Sequence, residues 1–241
     1  MRVHQQPGFV LLNRPYSESS WICDLFTRDH GRVAVIAKGA RRIKSPYRGS
    51  LLPFLPLLLS WTGKGELPTL IGAEIQRSDQ FQFSADLKGD ALICGFYCNE
   101  LISYLLHRYD PHVRLFDAYM AIICDLYASD EDSYSLSLRR FEQAVIQETG
   151  YAVNFQLEAD HKTPIQPELH YRFFPGQGFR ACVADVKGAV SGQIVLSLDN
   201  VFSGKLNNRE LSQGKQIMRT ILAESLGTKN INSRTLFVRA R

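Results

Sequence analysis

The sequence predicts an α+β protein, with a five-stranded β-barrel in its first 80 residues and a mainly α-helical part after them. Residues 1–80 hold five short apolar segments separated by turn-forming residues, without a long helical repeat, which is typical of a small closed barrel. From Ser84 onwards, apolar residues recur every three to four positions, which is the period of an amphipathic helix. These two patterns together define the fold class.

The barrel is predicted strand by strand from alternation and turns. Val33, Val35 and Ala37 fit one face of a strand, because β-branched residues favour a pleated surface. A turn at Asp29–Gly31 predicts a hairpin between Ser20–Thr27 and Arg32–Lys38. The other predicted strands are Phe9–Leu12, which ends at Asn13-Arg14-Pro15, then Leu55–Trp61 and Leu67–Glu74. Five such strands make the oligonucleotide-binding (OB) barrel the candidate architecture.

The second part is predicted to contain helices around a small irregular insert. Pro164, Pro167 and Pro175 interrupt helical periodicity between residues 155 and 185, so short strands at Tyr171–Phe174 and Phe179–Val183 are expected there. The predicted domains are 1–80 (barrel), 81–154 (helical) and 155–241 (insert and terminal helices). The predicted helices are Leu87–Leu105, one with Pro111 in its first turn reaching Tyr127, Ser135–Glu148 ending at Gly150, Leu206–Leu226 and Arg234–Val238.

Composition indicates an ordinary globular protein that works in a reducing compartment. The chain has 241 residues, is 45% hydrophobic and has no apolar run near the roughly 20 residues that cross a bilayer. No secretory signal is recognisable, and five irregularly spaced cysteines do not predict a disulfide framework. A cytoplasmic protein without membrane association is expected.

Charge is distributed unevenly along the chain. The net charge is +5 over residues 1–80, −8 over 81–160 and +7 over 161–241. An acidic middle between two basic ends fits a protein that binds a polyanion with its ends. The cations of the last third include Lys205, Arg209, Lys215, Arg219, Lys229, Arg234, Arg239 and Arg241.

The strongest binding signal is a basic loop after the third predicted strand. No carboxylate occurs between Asp29 and Glu66, and Gly39, Pro46 and Gly49 favour a flexible, positively charged arm. Such an arm suits a phosphate backbone, because neutralising phosphates releases condensed counterions; a solvated loop without a partner is the alternative. Tyr47 is a candidate for stacking on a base. The candidate DNA-binding residues are Arg32, Lys38, Arg41, Arg42, Lys44, Tyr47, Arg48 and Lys64.

No motif predicts catalysis or a metal site. The sequence lacks a phosphate-binding loop, a dinucleotide fingerprint and a nucleophile elbow. Cys94 and Cys98 lie one helical turn apart but on an apolar face, where free cysteine behaves as a small hydrophobic residue. Only His161, His170 and Cys182 surround the insert, fewer than the four ligands of a structural zinc site. Neither a metal nor a cofactor is expected.

Arg139 and Arg140 form a pair of cations beside Leu138 and Phe141 in the acidic middle of the chain. Two guanidinium groups next to an apolar surface suit the capture of a carboxylate-bearing peptide. Pairing with Glu142 within the chain is the alternative, and the residues alone favour neither.

Several segments together resemble the bacterial RecO family of recombination mediators. The early RPYSESS followed by GRVAVIAKGARR carries the resemblance, and it continues through GSLLPFLPLLLSWTGKGELPTL, NELISYLL, LRRFEQAVIQETGY and SRTLF. It is strongest over residues 9–75 and around 138–151. Lys38–Arg41 fall on the family's DNA-facing loop, and Arg139 and Arg140 on its peptide-docking helix.

The resemblance implies a function that the residues alone do not show. RecO-like proteins bind single- and double-stranded DNA through an OB barrel and anneal complementary strands. They engage the C-terminal tail of single-stranded DNA-binding protein and, with RecR, help to load RecA. Many members carry a four-cysteine zinc site, whereas this sequence has only Cys182 in that region and resembles the zinc-free branch.

The sequence therefore predicts a non-catalytic, nucleoid-associated DNA-binding mediator of recombinational repair. The first rival is an interaction module whose basic loop docks an acidic protein. The second is a metal-dependent nuclease that uses the carboxylates of the middle segment, although no motif predicts it.

Overall fold

The protein folds into a closed β-barrel followed by helices and a small second sheet, which confirms the predicted α+β class. The computed structural model describes residues 2–76, 87–128, 131–150, 153–199, 208–233 and 235–236, with side chains left out at 131–133 and 208–211. Two compact units are present, one formed by residues 1–129 with 231–241 and the other by residues 130–230. The predicted boundaries near residues 80 and 154 stay a prediction.

The barrel closes in the strand order β1-β2-β3-β5-β4, with β3 and β5 parallel and all other neighbours antiparallel. Gly31 ends the β2–β3 turn with a φ of +62°, and a Cβ there would lie 2.0 Å from the Asp110 carbonyl oxygen, so only glycine fits. The strands are β1 (Arg2–Tyr16), β2 (Ser20–Thr27), β3 (Gly31–Ala37), β4 (Leu57–Thr62) and β5 (Thr69–Ile75).

The first strand is much longer than the predicted Phe9–Leu12. Its first half pairs with β4 and its second half with β2, so a single bent strand closes the barrel. Irregularities in pairing between Val3 and Gln6 and between Val10 and Leu12 permit this bend. Alternation could not reveal it, because Gln5-Gln6-Pro7-Gly8 does not read as strand-forming.

Two helices of the first unit cover part of the outer surface of the barrel. They are α1 (Gly89–Leu105) and α2 (Val113–Ala128). Pro111 lies before α2 rather than in its first turn, because the preceding stretch turns at Tyr109, whose φ is +60°, and is held to β3 by a bond from Tyr109 N to Arg32 O. The residues after the second unit return to α1, where the Ser233 amide and hydroxyl both donate to Glu100 Oε2.

The described part of the second unit combines three helices with a three-stranded sheet in the order β7-β6-β8. Helix α3 packs against α5, and α4 packs against α5 and β8. The sequence did not predict β8 or α4. The elements are α3 (Glu131–Glu148), β6 (His170–Phe174), β7 (Gly178–Cys182), β8 (Val190–Ser191), α4 (Gly192–Asp199) and α5 (Asn208–Leu226). The predicted helix at 234–238 lies mostly outside the described residues. Among the described helices, none is both long and apolar enough to span a bilayer.

Candidate nucleic-acid interface

The basic loop between β3 and β4 folds into consecutive turns rather than extending as an arm. It leaves β3 at Gly39, whose φ of +70° is left-handed and favours glycine. Backbone bonds then run from Arg42 N to Gly39 O, from Ser45 N to Arg42 O and from Arg48 N to Ser45 O, at 3.0, 3.0 and 3.3 Å. The loop therefore holds its side chains on a defined backbone.

Five of the predicted cations on this segment are exposed to solvent: Lys38, Arg41, Arg42, Lys44 and Arg48. Lys64, in the turn between β4 and β5, is exposed as well. Residues 38–56 contain no carboxylate, so no acidic side chain of the loop itself offsets this charge. The arrangement can bind an anionic backbone electrostatically.

Arg41 acts partly as a structural brace. Its Nη1 donates to the Ser17 carbonyl at 2.9 Å, and its backbone amide donates to the Ser19 carbonyl at 3.0 Å. The guanidinium also lies 5.8 Å from the centre of the Trp21 ring, within the range of a cation–π contact. Arg41 thus ties the basic loop to the β1–β2 turn.

Tyr47 does not stand free as the prediction of base stacking required. Its side chain is half-buried, packs against the barrel core and donates from its hydroxyl to the Leu70 carbonyl at 3.0 Å. Burial, with a smaller contribution from Cys23, raises the pKa of Tyr47 above its ordinary value. Tyr47 therefore joins the loop to β5 and is not free to stack on a base.

Arg32 is likewise engaged within the protein. Its Nη1 donates to the carbonyls of Ser103 and Leu106, at 2.7 and 2.9 Å, and so binds the C-terminal end of α1. Burial lowers the pKa of Arg32, Asp24 opposes the shift and Arg108 adds to it. Since these contacts attach helix α1 to the barrel, we also leave Arg32 out of the proposed interface.

A groove beside the basic loop was not predicted. It has a volume of about 520 Å³ and is lined by Tyr16, Ser17, Ser19, Ser20, Ile36, Lys38, Gly39 and Arg42. Tyr16, at the end of β1, is 48% exposed. The sequence signal was available, because Tyr16 lies in the same RPYSESS segment as the β1–β2 turn, but only the pairing of β1, β2 and β3 brings it beside Lys38 and Arg42.

The two arginines predicted to bind a partner peptide differ in burial. Arg139 on α3 is 4% exposed, and its Nη1 pairs with Glu142 Oε2 at 2.5 Å, so the intramolecular pairing left open by the sequence is present. Arg140 is half-buried and also has an interaction within the protein.

The cations of the last third are only partly covered by the structure. Lys215 and Arg219, on α5, and Lys229 are exposed to solvent. The side chains of Lys205, Arg209, Arg234, Arg239 and Arg241 lie outside the described residues.

The candidate metal ligands do not form a cluster. His170 and Cys182 face each other across the β6–β7 ladder, and His161 lines a separate cavity of about 230 Å³ with Glu158 and Glu224. Within the described ranges, no group of three or more His, Cys, Asp or Glu side chains is arranged to hold a metal ion.

The fold and the cationic loop together define a barrel-containing protein whose exposed charge suits an anionic backbone, and comparison with known proteins identifies its family. A family model described as "Recombination protein O N terminal" matches residues 1–78, and one described as "Recombination protein O C terminal" matches residues 87–235. The chain therefore belongs to the RecO family of DNA repair and recombination proteins.

Curated relatives agree along nearly the full length. A DNA repair protein RecO of Nitrosospira multiformis is 43% identical over 239 residues, covering 98% of this chain and 95% of the relative. One from Aromatoleum aromaticum is 39% identical, covering 97% and 94%. One from Thiobacillus denitrificans is 40% identical, covering 98% and 91%.

Proposed function

We propose that this protein binds DNA backbones through the β3–β4 loop and acts as a non-catalytic mediator of recombinational repair, in the cytoplasm and on the nucleoid. The observation that carries the proposal is the set of five exposed cations on one loop without a carboxylate: Lys38, Arg41, Arg42, Lys44 and Arg48. Arg41, on the same loop, also ties it to the β1–β2 turn. Lys64 lies in the separate β4–β5 turn. Neutralising two strands at once lowers their mutual repulsion, which is the proposed basis of annealing.

The loop is suited to contact phosphates because its charge is held in place. A guanidinium or ammonium group at the surface gains little from a single exposed partner, so several cations on a fixed backbone are needed for useful affinity. The Arg41 contacts with Ser17 and Ser19, and the bond between Tyr47 and Leu70, anchor the loop at two points. Ordering the loop in advance reduces the entropy lost on binding.

A salt series tests this proposal. Binding of a fluorescein-labelled 20-nucleotide single strand is measured by fluorescence polarisation for the native chain and for the Arg42→Glu, Lys44→Glu variant. Each phosphate contact contributes about 0.7 to the slope of log K against log salt for single strands, so losing two contacts reduces the slope by about 1.4. A Lys162→Glu, Lys187→Glu variant makes the same charge change on exposed positions of the second unit and serves as control.

Equal losses in the two charge variants would show that only net charge matters and would contradict a loop-specific contact. No loss in the loop variant would favour the rival in which the loop docks an acidic protein. A strand-annealing assay with the same variants extends the test, because annealing is expected to fall in parallel with affinity.

The partners of the pathway form the second part of the proposal. Membership of the RecO family supports binding to the acidic C-terminal tail of single-stranded DNA-binding protein and, together with RecR, assistance to RecA loading. Since Arg139 is buried against Glu142, we assign the tail contact to Arg140 and its surroundings on α3. An Arg140→Ala variant is expected to lose binding of a labelled tail peptide and to keep its affinity for DNA. Unchanged peptide binding would contradict this assignment.

A further inference from the structure

The groove beside the basic loop has the form of a subsite on the outer face of the barrel. Tyr16 and Ser20 are partners across the β1–β2 ladder, and Trp21 and Ala37 are partners across β2–β3, so Lys38 follows next to Ser20. Tyr16, Ser20 and Lys38 thus form a row across β1, β2 and the residue that follows β3. Because Cys23, Val35 and Ala37 point into the core and side chains alternate along a strand, this row points outward.

Three chemically distinct walls surround the groove. Tyr16 contributes a ring that is 48% exposed, Lys38 and Arg42 contribute two exposed cations, and Ser17 and Ser19 contribute hydroxyl groups of the β1–β2 turn. The groove has a volume of about 520 Å³ and is open to solvent along its length, so a strand can lie across it. An aromatic face, a pair of cations and nearby hydroxyls match the base, phosphate and sugar of one nucleotide.

The walls of the groove are also fixed relative to each other. Arg41 donates from its side chain to the Ser17 carbonyl and from its backbone to the Ser19 carbonyl, which joins the β1–β2 turn to the loop that carries Arg42. Gly39 makes the sharp turn between Lys38 and this loop. The groove is therefore organised before a ligand arrives.

We propose that this groove binds one unpaired nucleotide of a nucleic-acid strand, with the base stacked on Tyr16 and a phosphate held by Lys38 and Arg42. The inference rests on the proposed DNA-binding function and assigns the stacking role to Tyr16 instead of Tyr47. In a duplex, both faces of each base are already covered by neighbouring bases. The subsite therefore favours single strands over duplexes of equal length.

The test separates base stacking from phosphate binding. Affinity for a labelled 20-nucleotide thymidine strand is measured for the native chain, Tyr16→Ala and Tyr16→Phe, and again with an abasic strand of the same length and charge. A stacked base contributes about 1–3 kcal/mol, so Tyr16→Ala is expected to weaken binding of the thymidine strand about 5- to 150-fold. Tyr16→Phe keeps the ring and is expected to bind like the native chain.

Two further readouts make the result specific. The salt slope of Tyr16→Ala stays that of the native chain, because no phosphate contact is removed. On the abasic strand the native chain and Tyr16→Ala bind equally, because there is no base to stack. Equal thermal unfolding midpoints for the two proteins show that the variant is folded, as expected for an exposed side chain.

Each contrary outcome identifies which idea fails. If Tyr16→Ala binds the thymidine strand as tightly as the native chain while Arg42→Glu, Lys44→Glu loses affinity, the stacking subsite is wrong and the proposed function stands. If the native chain binds the thymidine and abasic strands equally, the subsite is also wrong. If neither the loop variant nor Tyr16→Ala changes affinity, the proposed function fails together with the subsite.

Discussion

The same strands of the barrel have two different outer surfaces, one sealed by helices and one open. On the sealed surface, Phe9 and Phe26 are partners across β1 and β2, are fully buried, and contact Phe116 and Tyr119 of α2 at ring-centre distances of 4.9 to 5.9 Å. On the open surface, nearer the β1–β2 turn, Tyr16 and Lys38 face solvent. One sheet therefore supplies both the attachment of the helices and the candidate binding groove.

A buried polar link distinguishes the sealed surface further. Asn99 of α1 donates from Nδ2 to the Leu11 carbonyl at 3.0 Å and accepts at Oδ1 from the Tyr119 hydroxyl at 2.6 Å. Leu11 lies at an irregularity of β1, where ladder pairing shifts and a carbonyl becomes available. Burial raises the pKa of Tyr119 well above its ordinary value, so its hydroxyl stays protonated and donates. Residues of the sealed surface thus serve stability, whereas those of the open surface are available to a ligand.

The largest expected change in stability comes from a substitution on the sealed surface. Phe26→Ala removes a fully buried ring from the cluster with Phe116 and Tyr119, which should lower the free energy of unfolding of the first unit by about 3–5 kcal/mol. Urea denaturation followed by circular dichroism measures the loss. The folded fraction is expected to bind oligonucleotide with unchanged affinity, because Phe26 does not line the groove.

Tyr16→Ala is the counterpart on the open surface. It should change the free energy of unfolding by no more than about 0.5 kcal/mol. A stability loss comparable to that of Phe26→Ala would mean that the two surfaces are not distinct in the way the contacts indicate.

A smaller effect is expected from the buried polar link. Tyr119→Phe removes the hydroxyl that donates to Asn99 Oδ1 and leaves that acceptor buried, which should cost about 1–3 kcal/mol. The control is Tyr109→Phe, which removes a hydrogen bond from an exposed hydroxyl to the Glu66 carbonyl at 2.9 Å. The denaturation midpoint of this control should stay close to that of the native chain. Equal midpoints for the two variants would contradict the structural importance of the Asn99 link.

The barrel was predicted well because its strands and turns are indicated by short local patterns, namely alternating apolar residues and turn-forming residues. The hairpin of Ser20–Thr27 with the following strand is confirmed, and the C-terminal ends of α3 and α5 precede Gly150 and Gly227, both with positive φ. The elements β8 and α4 were missed because Val190–Asp199 is short. Its position also depends on close packing, since a Cβ on Gly192 would lie 1.9 Å from the Gln166 carbonyl oxygen.

The sequence predicted the positive charge of the candidate site but not which of its side chains are exposed, because exposure depends on tertiary packing. Exposed cations follow from composition, so Lys38, Arg42, Lys44 and Arg48 are found at the surface as expected. Which aromatic ring is free depends on tertiary packing, because Tyr47 packs against the barrel core and Tyr16 stays exposed at the end of β1. The burial of Arg139 against Glu142 has the same origin, since a helical spacing of three residues permits the pair but does not show that it is buried.

The smallest effect concerns the two tyrosines near the basic loop. Tyr47→Phe keeps the ring packed on the barrel core and removes only the bond to the Leu70 carbonyl, so it should cost about 0.5–1.5 kcal/mol of unfolding free energy. Its affinity for a thymidine strand should match that of the native chain, since Tyr47 does not line the groove. Tyr47→Phe should therefore lose stability, measured by urea denaturation, and keep its affinity, measured by fluorescence polarisation. Tyr16→Ala should lose affinity and keep its stability. A loss of affinity in Tyr47→Phe without a loss of stability would show that the Tyr47 hydroxyl acts on the ligand and not on β5, which would contradict the structural role assigned to it.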